Sequence, residues 1–167
     1  MKKSILPLML SFVVFSTLSA TALAQSGRRH PAGRNGIFSS SSVEQAWASA
    51  VAERKILLVM FTSDHCHFCT KMLSETYSHP AIQRMLAKDT KTVLADADDY
   101  RALAKRMGIR GYPTTLLISP EGEVLDLLEG FVDAKTFAKR VHPHLARQAA
   151  RLGDASAAYN QSPTVER

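Results

Sequence analysis

The two cysteines of this chain, Cys66 and Cys69, are its only ones and are separated by two residues. They follow an apolar run from Ile56 to Phe61, so a strand is expected to end just before them and a helix to begin at Cys66. The thiolate is the nucleophile in disulfide exchange, and a helix N-terminus stabilises an anion. At this spacing the second thiol can turn back on the first and release a mixed disulfide. The pair therefore predicts a redox dithiol.

A purely structural disulfide is the alternative for an exported chain. A bridge across two intervening residues closes a very small loop, which the chain-entropy model gives little stabilising value. We therefore favour redox use or metal handling over a structural role alone.

The N-terminus has the pattern of a secretory signal. Two lysines precede a mostly apolar stretch from Ile5 to Leu18, and Ala22-Leu23-Ala24 is an A-x-A cleavage site. The apolar stretch is short and contains Ser and Thr, which disfavours a membrane span. We expect a signal peptide over residues 1–24 and a mature chain in a periplasm or secreted, with no stable membrane insertion.

The remaining chain is long enough for one domain with one core. The formal net charge of +6 includes the two leader lysines, so +4 remains without them. Basic residues interleaved with aromatics are missing, which argues against nucleic-acid binding. Composition predicts a flexible lead over residues 25–42, a folded domain over 43–150 and a disordered tail over 151–167.

The apolar pattern predicts the order helix, strand, helix, helix, strand, helix, hairpin, helix. Strands joined by helical crossovers pair in parallel, and the hairpin adds an antiparallel pair. The expected fold class is α/β, with a small mixed central sheet flanked by helices on both faces. The four strands are expected at Ile56–Phe61, Thr92–Ala95, Thr114–Ile118 and Glu123–Leu128.

Helix ends are expected from capping residues. Ser42-Val43-Glu44-Gln45 is a capping box for the first helix. Asp98 or Asp99 is expected to cap the helix that runs to Met107, and Asp133 the last helix, which Pro143 should kink or end. The expected apolar face of the first helix consists of Val43, Ala46, Trp47, Ala50 and Val51.

Three segments, in this order, resemble the thioredoxin superfamily. The strand Leu57–Phe61 leads to the cysteine pair. The segment Gly108–Thr114, with the sequence Gly-Ile-Arg-Gly-Tyr-Pro-Thr, is similar to the family's cis-proline loop. Glu121-Gly122-Glu123-Val124 followed by Gly130-Phe131 is similar to its hairpin and following glycine. The resemblance covers about Val43 to Leu145.

Within the superfamily, the chain is most similar to secreted thioredoxin-like domains. Asp64-x-Cys66-x-x-Cys69 and Ser78-His79-Pro80-Ala81-Ile82 resemble the C-terminal domain of the disulfide-interchange reductase. The segment Arg110–Thr114 also resembles protein disulfide isomerase.

The resemblance implies a thiol–disulfide oxidoreductase in which Cys66 attacks and Cys69 resolves, with no bound cofactor. It implies a cis peptide bond before Pro113 and a loop in which the Tyr112 backbone binds a substrate strand. Phe68 is expected to give an apolar lip for substrate contact. The implied partners are protein or peptide thiols and disulfides, together with a redox donor or acceptor.

The chain departs from thioredoxin beneath the dithiol. The buried aspartate and lysine of thioredoxin correspond to Met60 and Leu94, and replacing both members of a buried pair with apolar groups can be neutral. Cys69 therefore lacks the usual base. The candidates to replace it are Asp64, Glu75, His65 and His67.

The residues around Cys66 also differ from the usual pattern. His65 replaces the usual tryptophan, and His67-Phe68 replaces Gly-Pro. Protonated imidazoles beside Cys66, with Asp64 nearby, are expected to tune its thiolate. We expect the pKa of Cys66 to lie well below the free value of about 8.5. A stabilised thiolate raises the reduction potential and favours an oxidant, whereas the resemblance to the interchange reductase favours a reductase or general exchange.

Two other function classes remain open at this stage. The first is a metal-binding module in which His65, Cys66, His67 and Cys69 bind Cu(I) or Zn(II), with His79 as a possible further ligand. The second is a redox-inert domain that holds extended peptides at the Pro113 loop.

Overall fold

The computed structural model describes residues 36–161. The expected signal peptide and the first part of the expected lead lie outside the described residues. Within residues 36–161, no helix has the length and apolar character needed to span a bilayer.

One mixed sheet organises the domain, with the strand order β2-β1-β3-β4. Strands β1 and β2 are parallel, whereas β3 is antiparallel to both β1 and β4. This confirms the expected combination of a parallel crossover and an antiparallel hairpin. The strands are β1 (Ile56–Thr62), β2 (Thr90–Asp96), β3 (Thr114–Ile118) and β4 (Val124–Glu129).

Helices cover both faces of the sheet. A π-helical segment, Met72–Tyr77, directly continues α2. The expected helix after the cysteines therefore ends where predicted, but its hydrogen-bond pattern changes after Lys71. The helices are α1 (Val43–Glu53), α2 (His67–Lys71), α3 (Pro80–Asp89), α4 (Arg101–Arg106) and α5 (Ala134–Gln161).

Strand β1 lies at the centre of the domain, and all seven of its residues are buried. Alternate side chains point to opposite faces of a strand. Leu57, Val59 and Phe61 pack with α1 and α4, whereas Leu58 and Met60 pack with α2, α3 and α5. The uninterrupted apolar run in the sequence therefore reports a strand covered on both faces, as expected.

The first helix begins where the capping box predicts. The Ser42 Oγ accepts a hydrogen bond from the N–H of Gln45 at 3.1 Å. The Gln45 side chain bonds to Ser41 instead of Ser42, since its Oε1 accepts a hydrogen bond from the Ser41 hydroxyl at 2.7 Å. Val51 was wrongly placed on the apolar face, since it is 42% exposed.

The cap expected for α4 is wrong. The N-cap residue is Tyr100, which makes no side-chain cap hydrogen bond. Asp98 instead pairs with Arg101 at 2.8 Å, and its N–H donates to the Asp96 carboxylate at 2.8 Å. Asp96 and Asp98 therefore stabilise the turn between β2 and α4, and neither of them caps the helix.

The last helix is longer than expected. Asp133 caps it by accepting hydrogen bonds from the N–H groups of Lys135 and Thr136, each at 3.0 Å. Pro143 lies inside the helix and does not end it. Buried Val141 and Leu145 anchor the helix to the core on both sides of the proline, which offsets the lost backbone hydrogen bond.

The expected flexible lead and the expected disordered tail also differ in part from the structure. Helix α5 continues to Gln161, because alanine, frequent in its last turns, is the strongest helix former. At the other end, Phe38 is 3% exposed and packs edge-to-face on Tyr77 at 4.9 Å between ring centroids. The Thr92 hydroxyl donates to the carbonyl of Ile37. Residues 36–42, assigned to the lead, therefore belong to the folded domain.

Candidate redox site

The cysteine segment and the Pro113 loop lie at the same end of the sheet. In the antiparallel β1–β3 pair, Phe61 lies opposite Thr114. The chain that leaves β1 towards Cys66 and the chain that enters β3 from Pro113 therefore meet at one edge. Two segments 47 positions apart in the sequence become neighbours through strand register alone.

Cys66 is the N-cap residue of α2. Its Sγ accepts a hydrogen bond from the N–H of Cys69 at 3.1 Å, and its carbonyl accepts from the N–H of Thr70 at 3.1 Å. The sulfur thus takes the position in which a serine or aspartate oxygen usually caps a helix. An N–H donor and the positive end of the helix both favour an anion at this atom.

The two sulfurs form a disulfide, with an S–S distance of 2.08 Å. Cys66 is half-buried, whereas Cys69 is 2% exposed and belongs to the core beneath α2. Only Cys66 therefore offers a sulfur that a large substrate can approach. The two cysteines therefore differ in accessibility.

The residues around the pair form an exposed rim. Asp64, His65 and His67 are exposed. Phe68 is 55% exposed, and its ring meets the ring of His67 edge-to-face at 5.5 Å. His65 has a φ of +59°, a left-handed conformation that histidine adopts more readily than most residues.

The Tyr112–Pro113 peptide bond is cis in the structure. Pro113 is buried, and its carbonyl accepts a hydrogen bond from the N–H of Gly130 at 2.8 Å. The Thr114 hydroxyl donates to the carbonyl of Gly111 at 2.8 Å. Within residues 36–161, the N–H and C=O of Tyr112 have no hydrogen-bond partner. A short stretch of backbone is therefore free to pair with an incoming strand.

Beneath the pair, the two positions compared with thioredoxin's charged residues are neighbours. Met60 and Leu94 are partners in the parallel β1–β2 register. Met60 is fully buried, and Leu94 packs against the same core. Both side chains are apolar, so neither position can accept a proton from Cys69.

A hydroxyl pair lies in the same core. Tyr77 is fully buried, and its hydroxyl is 2.7 Å from that of Thr115, which lies opposite Met60 in the sheet. Burial raises the pKa of Tyr77 far above its usual value. The phenol therefore stays protonated and cannot serve as a base.

The expected replacement bases lie at the surface. Asp64, His65, His67 and Glu75 are all exposed, whereas Cys69 is buried. Glu75 lies 4.0 Å from the Lys71 ammonium across one turn. The structure thus gathers three of the four candidates on the rim near Cys66 and gives none of them the buried position of thioredoxin's acid.

Sequence reasoning missed two features near the site. Asp96 is the one buried carboxylate among residues 36–161, and it lies opposite Thr62 at the end of β1. The Lys71 ammonium lies 4.5 Å from the centroid of the Phe131 ring, which connects α2 to the segment after β4. The position of Asp96, an acidic residue directly after the predicted strand Thr92–Ala95, could have indicated the buried carboxylate. Nothing in the sequence indicated the contact between Lys71 and Phe131.

The structure does not support the alternative of a metal site among the described residues. Among residues 36–161, no group of three or more His, Cys, Asp or Glu side chains is positioned to hold a metal ion. His79, the possible distant ligand, caps α3 instead, since its Nδ1 accepts a hydrogen bond from the N–H of Ala81 at 3.2 Å.

A four-stranded mixed sheet with a cysteine pair at the start of a helix defines a thioredoxin-like fold. The model of the thioredoxin-like domain family matches residues 43–143, more than half of the chain. The chain belongs to this thioredoxin-like domain family.

Individual relatives agree with this assignment. The chain is similar to the thiol:disulfide interchange protein DsbD of Ralstonia nicotianae, with 30% identity over 126 residues. That match covers 71% of this chain but only 21% of the interchange protein. Among solved structures, a thioredoxin from Thermus thermophilus is similar with a TM-score of 0.56 and 27% identity, over 73% of this chain and 94% of the other.

A third similarity concerns the fold alone. The oxidised C-terminal domain of DsbD from Neisseria meningitidis has a TM-score of 0.56 and 23% identity, over 64% of this chain and 97% of that domain. The expected resemblance to the thioredoxin superfamily and to the interchange reductase domain is confirmed.

Proposed function

We propose that this protein is an exported thiol–disulfide oxidoreductase that exchanges disulfides with protein substrates through Cys66 and Cys69. The observation that carries the proposal is the difference between the two sulfurs. Cys66 caps a helix and reaches the surface, whereas Cys69 is 2% exposed and bonded to it. A half-buried nucleophile with a covered partner suits capture followed by release.

The exchange conserves electrons and protons. In the reducing direction, the Cys66 thiolate attacks one sulfur of a substrate disulfide, forms a mixed disulfide and releases the other sulfur as a thiolate. The Cys69 thiol loses its proton and attacks the Cys66 sulfur. This step forms the Cys66–Cys69 disulfide and releases the second substrate thiol. The substrate gains two electrons, which the dithiol loses; the oxidising direction is the reverse.

The loop around Pro113 supplies a binding surface for the substrate backbone. Among the residues that the structure describes, the N–H and C=O of Tyr112 have no partner, and they lie at the same end of the sheet as Cys66. An extended peptide can pair with these groups as an added strand. Phe68, on the other side of Cys66 in sequence, adds an exposed aromatic surface.

The exposed groups beside Cys66 are proposed to tune the thiolate. His65 and His67 are the residues immediately before and after Cys66, and Asp64 precedes them. Protonated imidazoles favour the anion, whereas the carboxylate opposes it. The helix N-terminus and the Cys69 N–H add to the stabilisation.

Export is part of the proposal and rests on residues 1–24. Their basic start, apolar stretch and A-x-A site are typical of a signal peptide. Mass spectrometry of the protein from the extracytoplasmic fraction should give a chain that begins at Gln25. Recovery of the intact N-terminus from the cytoplasm would contradict export without touching the redox chemistry.

Mixed-disulfide trapping tests the exchange chemistry. The C69S variant lacks the resolving thiol, so it should retain substrate proteins as disulfide-linked adducts that dithiothreitol releases. The matched C66S variant keeps the covered thiol and should trap little or nothing. Equal trapping by both variants, or none by C69S, would overturn the assignment of Cys66 as the nucleophile.

A further inference from the structure

A cationic groove lies between α4 and the Pro113 loop, the segment Gly108–Thr114 that contains Tyr112. It has a volume of about 410 Å³, and its lining includes Arg101, Lys105, Arg110 and Tyr112. The other lining residues are Ala104, Gly108 and Ile109, so no carboxylate of the described part of the chain lines it. A surface next to the proposed substrate strand thus carries charge of one sign.

Two of the three cationic side chains have no partner in the described part of the chain. Arg101 pairs with Asp98 at 2.8 Å. Across residues 36–161, the side chains of Lys105 and Arg110 form neither an ion pair nor a hydrogen bond, and both residues are exposed. Their charges therefore remain available to a ligand.

The charge changes on the other side of the loop. A second groove, of about 540 Å³, is lined by Arg110 and Tyr112 and also by Glu129. Glu129 lies opposite Thr114 in the β3–β4 register, so it stands on the β4 side of the loop. A peptide paired with Tyr112 would face the positive charges of Lys105 and Arg110 on its α4 side, whereas on its β4 side the negative charge of Glu129 lies in the same groove as Arg110.

We propose that this groove selects protein substrates with an acidic side chain next to the reacting cysteine. Lys105 and Arg110 attract that side chain while the peptide backbone pairs with Tyr112. This inference rests on the proposed function, because it places the substrate at the same loop. It adds a substrate class, acidic segments around a disulfide-bonded cysteine, and two residues that determine specificity.

The expected preference is modest and depends on salt. Exposed charge pairs contribute little each and are screened within about 8 Å at physiological ionic strength. Two such contacts should together raise the second-order rate constant about fivefold over a neutral peptide at low salt. The preference should shrink towards unity at about 0.5 M salt.

Peptides with one cysteine, blocked as the mixed disulfide with thionitrobenzoate, provide the test. The reduced protein attacks the peptide sulfur and releases coloured thionitrobenzoate, and Cys69 then frees the peptide thiol. Three peptides differ only in the residues that flank the cysteine, which are Asp, Ser or Lys. We expect rates in the order Asp, Ser, Lys at low salt.

Charge variants link the preference to the groove. The K105Q/R110Q double variant should react with the three peptides at nearly equal rates, and K105E/R110E should favour the Lys peptide. The matched control is K139Q, an exposed α5 lysine, which should keep the wild-type order. Unchanged preference in K105E/R110E, or no preference in the wild type, would overturn the inference while leaving exchange intact. Failure of all three peptides to react would overturn the proposed function as well.

Discussion

Substitution of two phenylalanines, one buried and one exposed, should affect stability and activity separately. Phe38 is 3% exposed and packs on the Tyr77 ring, although it precedes the first helix. Removing a buried phenylalanine typically costs about 3–5 kcal/mol, from lost transfer energy and the cavity left behind. For a domain of this size, F38A should lower the melting temperature by about 10–15 °C.

Phe68 should give the opposite result. Its side chain is 55% exposed, so F68A should change the free energy of unfolding by no more than about 0.5 kcal/mol. A phenylalanine can bury roughly 200 Å², of which about half remains available to a substrate. If a substrate covers half of that available area, the contact contributes about 1.3 kcal/mol at 25 cal/mol per Å². Exchange with a protein disulfide should then slow about tenfold.

Thermal unfolding followed by circular dichroism measures the first effect, and insulin-disulfide reduction with dithiothreitol measures the second. A small disulfide substrate serves as a control, because it cannot contact Phe68 and should react with F68A at the wild-type rate. If F38A melts within about 2 °C of the wild type, a difference well under 1 kcal/mol, the burial of Phe38 does not stabilise the fold. If F68A slows both substrates equally, Phe68 acts on the thiols and not on substrate contact.

The remaining predictions concern charge. Hydrogen bonds from the Thr136 N–H and hydroxyl hold the pKa of Asp133 below its usual value; stabilisation is therefore present above the unfolded-state pKa and lost as the pH falls. The melting-temperature difference between wild type and D133A should accordingly close below about pH 4. Met60 is fully buried, so M60D should cost at least about 3 kcal/mol at neutral pH and less in acid, whereas M60L should cost under about 1.5 kcal/mol in denaturant titrations. Equilibration with glutathione should give a reduction potential above about −270 mV, which H65Q/H67Q should lower; an unchanged potential would remove the histidines from thiolate tuning.

The sheet and the position of the cysteine pair were predictable because each rests on a local pattern. The run Ile56–Phe61 has no polar alternation, and the structure buries every one of its residues. The Ser42 cap is likewise a short-range hydrogen bond, between residues only three positions apart in the sequence. Patterns of this kind need no knowledge of the partner elements.

Features that depend on distant partners were not predictable in the same way. Phe38 precedes every predicted element, and only the position of Tyr77 shows that it is buried. Pro143 normally signals a helix end, yet α5 continues because residues on either side of it fit the core. The groove beside Tyr112 depends on how α4 lies against the loop, which no local pattern in the sequence reveals.

The residues packed around Cys69 determine where its proton can go. In the proposed exchange, Cys69 must lose that proton before it can attack Cys66. The core beside Cys69 contains Met60, which is apolar, and Tyr77, which stays protonated. The buried carboxylate Asp96 accepts the N–H of Asp98 at 2.8 Å and so holds the turn after β2. We infer that the proton leaves towards the surface, where Cys66 meets solvent and the departing substrate thiolate. The departing substrate thiolate, or water beside Cys66, then accepts the proton that Cys69 loses, and the Cys66 sulfur takes part only as the atom that Cys69 attacks.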